Sequence, residues 1–323
     1  RETVRGLFAE GKVDLIIGHE QGTLPLTTTP CFISDAGDAD RLVWNGCCGN
    51  NLAAYLPAMF RPDPRARRGD PPKRPKVGIV VKGCDGRSVV GHIAEHQLQR
   101  EDVVLIGMPC SGMVDVRKVR ERLDGREMVE GREEEDRIVV VDDAGAQRRF
   151  AREEVLSDWC RACRYPVPPV YDVWIEGGES RSPAPESFAE IAAFEEKPVE
   201  ARWSHFEREM SKCIRCYACR NACPLCYCTV CFAEETRPRW IGIADETPDV
   251  MAFHVGRIFH TAGRCVECGA CEAACPMGVD LRTFTRKLAK DVKELFDYEA
   301  GMDAEEAPPL GTFKMDDPNE FVR

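Results

Sequence analysis

The chain has 323 residues, 43% of them hydrophobic, and a net charge of −11. That length predicts roughly two domains of about 150 residues each, and the apolar content is enough for buried cores. The acidic balance excludes the basic footprint of a nucleic-acid binder. No apolar run approaches the roughly 18 residues of a transmembrane helix. The opening residues, Arg1 to Arg5, form no apolar segment, and the cysteine usage predicts a reducing, cytoplasmic location.

In chain order, the first clear elements are the apolar runs Val77–Val81 and Val103–Gly107. Between them lies a helical pattern over Ser88–Leu98, with Val89, Ile93 and Leu98 on one face. A strand–helix–strand unit of this kind predicts parallel strands. Pro109–Gly112 interrupts the pattern, and a helical period resumes over Val114–Leu123. Arg137–Val141, a turn at Asp142–Gly145, and Arg148–Phe150 predict a hairpin. Residues 1–178 therefore read as an α/β domain with a mostly parallel sheet. The Gly-, Ser- and Pro-containing stretch Gly177–Pro185 reads as a linker. Helices are expected over Ser187–Glu196, Val199–Ser211, Val250–Thr261 and Leu281–Phe296, the last with a stripe of Leu281, Phe284, Leu288, Val292 and Leu295. These define a helical domain over 188–298, followed by an acidic, solvated tail over 300–323.

The chain has 18 cysteines. Cys213, Cys216, Cys219 and Cys223 precede Pro224, and Cys265, Cys268, Cys271 and Cys275 precede Pro276. Both runs read C-x2-C-x2-C-x3-C-P, the pattern of two-cluster ferredoxins, in which the fourth Cys of a run ligates the other cluster. The spacing assigns Cys213, Cys216, Cys219 and Cys275 to one 4Fe–4S cluster, and Cys265, Cys268, Cys271 and Cys223 to a second. Each proline turns the chain away after the fourth ligand and offers no N–H there. The competing chemistry is a pair of zinc sites, since C-x2-C is also zinc spacing. Two neighbouring one-electron centres make a relay.

Other cysteines leave alternatives open. Cys226, Cys228 and Cys231 either hold part of a further cluster or are thiols packed beside the first two. Cys160 and Cys163 form another C-x2-C, while Cys48, Cys84 and Cys110 fall where elements meet loops. Cys84 and Cys110 follow adjacent strands, at the sheet edge where ligand sites gather. These residues either hold a third cluster or are small buried hydrophobes. Cys31 and Cys47 have no assigned role. Gly83–Gly86, opening a helix, is either a phosphate-binding turn, with Lys82, Gly83 and Arg87 as candidate cofactor-binding residues, or an ordinary turn. His92 and His96 share a helical face, as a metal pair or in surface or packing roles. The basic, proline-rich stretch 61–76 and the acidic run Glu133–Asp136 are either partner-binding segments or solvated loops.

The segments Lys82–Arg87, Gly107–Cys110 and Cys160-x2-Cys163 before Tyr171–Ile175 resemble the beta-subunit family of coenzyme F420-reducing hydrogenase and formate dehydrogenase, over residues 75–176. The helical part is similar to the small ferredoxin-like subunits of heterodisulfide reductases. The first resemblance implies that Cys84, Cys110, Cys160 and Cys163 ligate a third 4Fe–4S cluster, with Cys48 a further candidate. It also implies FAD as a candidate cofactor. The expected function is an iron–sulfur electron-transfer subunit of an anaerobic hydrogenase, formate dehydrogenase or heterodisulfide reductase type of complex. Such a subunit passes electrons to partner subunits without a complete active site of its own. The alternative is a flavin-dependent dehydrogenase module acting on F420 or NAD(P)H. Iron and acid-labile sulfide analysis of anaerobically purified protein should give at least about eight irons per chain; a colourless protein holding only zinc would overturn both cluster assignments.

Overall fold

The computed structural model describes residues 1–62, 74–313 and 315. Most of the basic stretch 61–76 and the end of the acidic tail lie outside the described residues. Short β-branched runs build the central sheet. Helix α1 (Glu2–Ala9) leads into β1 (Leu15–Gln21), β2 (Thr28–Ile33) and β3 (Leu42–Val43). Then come α2 (Leu56–Phe60), β4 (Val77–Val81), α3 (Gly83–Ala94) and β5 (Val103–Gly107). Helix α4 (Val116–Glu121) precedes the strands β6 (Met128–Glu134), β7 (Arg137–Asp142) and β8 (Gln147–Ala151), which are followed by α5 (Asp158–Arg161) and β9 (Val173–Trp174). The main sheet has the order β2-β1-β4-β5-β9, with β3 also on β1. β1, β4, β5 and β9 are mutually parallel; β2 and β3 run antiparallel to β1. The expected α/β domain and its mostly parallel sheet are borne out.

Successive side chains alternate faces along each strand, and both faces are covered. Ile17, Ile79 and Leu105 pack with Leu56 of α2 and Val89 of α3. Ile16 and Ile106 face the other way, onto Val4 and Leu7 of α1. Burying each of these large aliphatic side chains stabilises the fold by about 2 kcal/mol. Helix α3 begins at Gly83, five residues before the periodic pattern, because the Asp85 carboxylate accepts the Lys82 N–H at 3.2 Å and closes the first turn. It ends before Leu98, which is buried from the following loop.

The expected hairpin is present as β7 and β8, with Ile138 opposite Phe150. Strand β6 lies beside it and takes up Glu133 and Glu134 of the acidic run, so only Glu135 and Asp136 form the turn. Glutamates read poorly as strand. Here β6 is held by pairing with β7 and by Glu133, which accepts the Gly46 N–H at 2.7 Å and pairs with Arg152.

The helical part comprises α6 (Ala189–Glu195), α7 (Val199–Ser211), α8 (Ala218–Asn221), α9 (Thr247–His260), α10 (Ala270–Ala273) and α11 (Arg282–Phe296). Met210, Val250, Phe253, Val279 and Leu281 form its main core. The α11 stripe is buried at Val292 but emerges at Leu295, which is 74% exposed. The linker is tied down: Arg181 N–H donates to the Cys110 carbonyl and Ala184 N–H to the Cys163 carbonyl, both at 2.9 Å.

Arg87 of α3 reaches across to the helical part. Its guanidinium donates to the Ala300 carbonyl at 2.7 Å and the Val266 carbonyl at 3.3 Å, and it lies 4.4 Å over the Tyr165 ring. The beginning of the acidic tail is thereby pinned, and Ala300 is buried. Arg264 and Glu95 form a second cross-link at 2.7 Å. Removing a charged donor strands buried carbonyls, so Arg87→Met should cost about 3 kcal/mol, read as a lower urea midpoint; an unchanged midpoint would remove Arg87 from the junction.

Candidate iron–sulfur sites

Parallel strands deliver the N-terminal cysteines to one edge of the sheet. Cys84 follows the carboxyl end of β4 and Cys110 that of β5, while α5 brings in Cys160 and, one turn on, Cys163. All four line a cavity of about 470 Å³. Cys223, Cys265, Cys268 and Cys271 of the helical part line the same cavity, with Cys268 close enough to Cys84 to raise its pKa. Trp159 of α5 lies against Gly269, where a Cβ would overlap the indole and the backbone holds φ at +71°. Glycine there permits both the turn and the close approach of the two parts.

The two C-terminal runs fold alike. Arg215 and Tyr217 have φ of 52° and 60°, and the matching Glu267 and Gly269 have 58° and 71°. Left-handed residues at the second and fourth positions after the first cysteine curl each loop and turn its N–H groups inward. The Arg215 N–H donates to Cys213 Sγ at 3.3 Å and the Val279 N–H to Cys275 Sγ at 3.4 Å; Met113 N–H reaches Cys160 Sγ at 3.3 Å. The fourth thiol of each run lies with the other run: Cys275 beside Cys213 and Cys219, and Cys223 beside Cys268 and Cys271. Cys216 is exposed, whereas Cys219 is buried.

Buried thiols need compensation before they can carry charge. Burial pushes Cys84 well above the ordinary thiol range and Cys160 up to about 12, with Lys82 opposing the rise at both. An occupant that replaces these protons must bring positive charge, as a metal centre does. Arg257 faces the thiols from α9 and is 3% exposed. It donates to the Cys219 carbonyl at 3.0 Å, while its Nε and one Nη have no partner. Such a cation fits a negatively charged cluster held by four thiolates. Among the described residues no three His, Cys, Asp or Glu side chains close on one point as for a single metal ion. Eight of the thiols surround one cavity, a space that fits inorganic cubanes.

The other sequence candidates fall in distinct places. Lys82 is 2% exposed and donates to Asp85 Oδ2 at 2.8 Å and the Asn50 carbonyl at 2.9 Å. It borders the cavity as the local countercharge to Cys84 and Cys110. Gly83 lies so close to the Tyr165 carbonyl that a Cβ would overlap it. Arg87 lines the cavity too, with its guanidinium engaged in the domain junction. Cys48 is buried in an apolar cluster with Cys160, but its Sγ lies 3.8 Å from the Val43 carbonyl and it does not line the cavity. His92 is buried with Nε2 3.2 Å from the Ala53 carbonyl, while His96 is exposed beyond the helix end. Cys226 packs against Cys223, Cys231 lies near Arg220, and Cys228 is exposed. Cys31 and Cys47 are held protonated, each at about 11, chiefly by burial. Sequence reading missed Arg257 and His254. Both belong to the helical pattern before the second run, and their i, i+3 spacing on α9 was the available signal.

The 4Fe-4S dicluster domain family matches residues 209–294. An F420-dependent formate dehydrogenase subunit beta of Methanocaldococcus jannaschii is 23% identical, the match covering 92% of this chain and 89% of that protein. An F420-dependent formate dehydrogenase 1 subunit beta of Methanococcus maripaludis is 22% identical over 94% of this chain and 90% of its own length. A xenon-derivatized structure of the F420-reducing [NiFe] hydrogenase complex of Methanosarcina barkeri is similar over 51% of this chain and 59% of that chain, at 15% identity and a TM-score of 0.35. The resemblance and the electron-relay reading drawn from the sequence are borne out by the domain match and the curated relatives. Among the described residues no helix is long and apolar enough to cross a membrane.

The buried pair beside the first thiols yields a stability test. Lys82→Met leaves the Asp85 carboxylate unpaired and should cost about 3–5 kcal/mol. Adding Asp85→Leu should cost less than the sum of the two single changes in a double-mutant cycle of urea midpoints, although it also frees the Lys82 and Leu52 N–H groups; an additive double mutant would show that the two side chains do not act as a pair.

Proposed function

We propose that this iron–sulfur electron-transfer subunit relays electrons along three cubanes between its α/β domain and a partner subunit of a formate dehydrogenase- or hydrogenase-type complex. The observation that carries the reading is the shared cavity, in which two sets of thiols from different domains face each other. Cys84, Cys110, Cys160 and Cys163 would hold the first centre, and Cys265, Cys268, Cys271 and Cys223 the middle one. Cys213, Cys216, Cys219 and Cys275 would hold the outer centre, which reaches the surface at Cys216. When bound, such cubanes supply one-electron transfer at potentials set by charge, exposure and N–H···S contacts.

The protein's own groups set the spacing and the field. Trp159 against Gly269 and Arg87 against Ala300 hold the domains at one separation. Lys82 stands beside the first set, and Arg257 lies between the middle and outer sets, close to Cys219, Cys223 and Cys271. Each cation offsets the charge of the thiolates around it, so the centres can be neighbours without mutual repulsion dominating. The twin N–H···S contacts hold the outer thiols in place as the charge changes.

The curated relatives are F420-dependent by name, which makes F420 the natural candidate for the ultimate hydride-carrying partner of the assembly. Full loading should give about twelve irons per chain. Cys160→Ala with Cys163→Ala should lower this to about eight, with the two ferredoxin-type signals kept in electron paramagnetic resonance (EPR) spectra. Wild-type protein that saturates at about eight irons would remove the first centre, and FAD released on denaturation would favour the flavin-dependent alternative.

A further inference from the structure

The two ferredoxin-type loops match in backbone but not in surroundings. His254, on α9, points its Nε2 at Cys213 Sγ from 3.2 Å and is 1% exposed. Its Nδ1 is buried and has no partner. A cluster-bound thiolate can only accept, so the ring's proton must sit on Nε2, which fixes the tautomer. The matching thiol of the second run is Cys265. Its neighbours are Cys268 and Cys271, the Glu267 N–H and the Glu267 carboxylate, and among the described residues no imidazole is hydrogen-bonded to it. The side chains two positions on differ in the same sense: Arg215 stands near Cys213, where the second run has Glu267 near Cys265. Neither difference is needed to build the loops, since the left-handed turns are alike in both.

We propose that His254 is a positioning residue that tunes one centre only, raising the reduction potential of the outer cubane through an Nε2–H···S hydrogen bond to Cys213. This rests on the assignment of that cubane to Cys213, Cys216, Cys219 and Cys275. A donor aimed at a ligand sulfur stabilises the more negative, reduced form more than the oxidised form, so the potential rises with the bond and falls without it. His254 is buried, so its ring is held against Cys213 away from solvent. Its influence acts through Cys213, while in the middle set Cys271 has the buried cation Arg257 beside it. The protein thus separates two loops of the same sequence pattern by a single side chain contributed from outside them.

The test is an EPR-monitored potentiometric titration of the full chain, purified anaerobically and reduced stepwise with dithionite. His254→Phe keeps the ring's bulk and removes the donor. It should make the outer cubane three- to tenfold harder to reduce at a fixed potential, a tenfold change being about 59 mV for one electron. His254→Gln restores an N–H and should recover most of the shift. The middle cubane should stay in place in both variants. Equal shifts of both centres, or none in either, would overturn the proposal. Should His254→Phe fail to assemble, the wild type still decides. Pulsed EPR on protein labelled with 15N-histidine should show a nitrogen coupling on one cubane signal, and labelled protein without that coupling would overturn it as well. Absence of any cubane signal would instead defeat the underlying cluster assignment.

Discussion

Thiolate charge in a buried space is the constraint on which the rest of this structure depends. Eight cysteines line one cavity between two domains, and burial pushes thiols such as Cys84 and Cys160 well above the ordinary range. Only a positively charged core can hold them ionised together, and the net charge that remains must be met by the protein. Lys82 and Arg257 meet it from opposite sides. Each is almost fully buried, a position lysine and arginine take only when something anionic lies beside them. Asp85 completes the balance at Lys82 by accepting its ammonium, its own backbone N–H and the N–H of Leu52.

The same constraint explains the shape of the domain junction. Both parts contribute cysteines to one cavity, so the α/β domain and the helical part meet at the edge where those cysteines lie. A small residue allows the approach, with Gly269 under Trp159. Directional polar contacts then fix it, through Arg87 on the Ala300 and Val266 carbonyls and Arg264 on Glu95. The linker adds its own restraint. Its backbone N–H groups bind carbonyls of Cys110 and Cys163, so the segment joining the domains is also part of the cavity wall.

Two loops with one spacing end up in different fields. Each places left-handed residues at matching positions and exchanges its fourth thiol with the other. Around that common scaffold, α9 supplies His254 to one side and Arg257 to the space between. The outer loop also opens to the surface at Cys216, while the middle one is enclosed by the α/β domain. Similar ligand sets thus acquire distinct surroundings from the elements that pack against them.

The local pattern of the sequence determined the twin cysteine runs, the β4–α3–β5 unit, the β7–β8 hairpin and the helices that flank the runs. It could do so because spacing and periodicity are local, and a C-x2-C-x2-C-x3-C-P run or an alternating apolar stretch carries its meaning within a dozen residues. The tertiary structure alone decided that Cys84 and Cys268 line one cavity, that Arg87 locks the junction, and that the linker walls the cavity. It also brought the charged strand β6 into a sheet and His254 to Cys213. Each of these depends on residues far apart in the chain coming into contact, and no local pattern records which buried face will meet which.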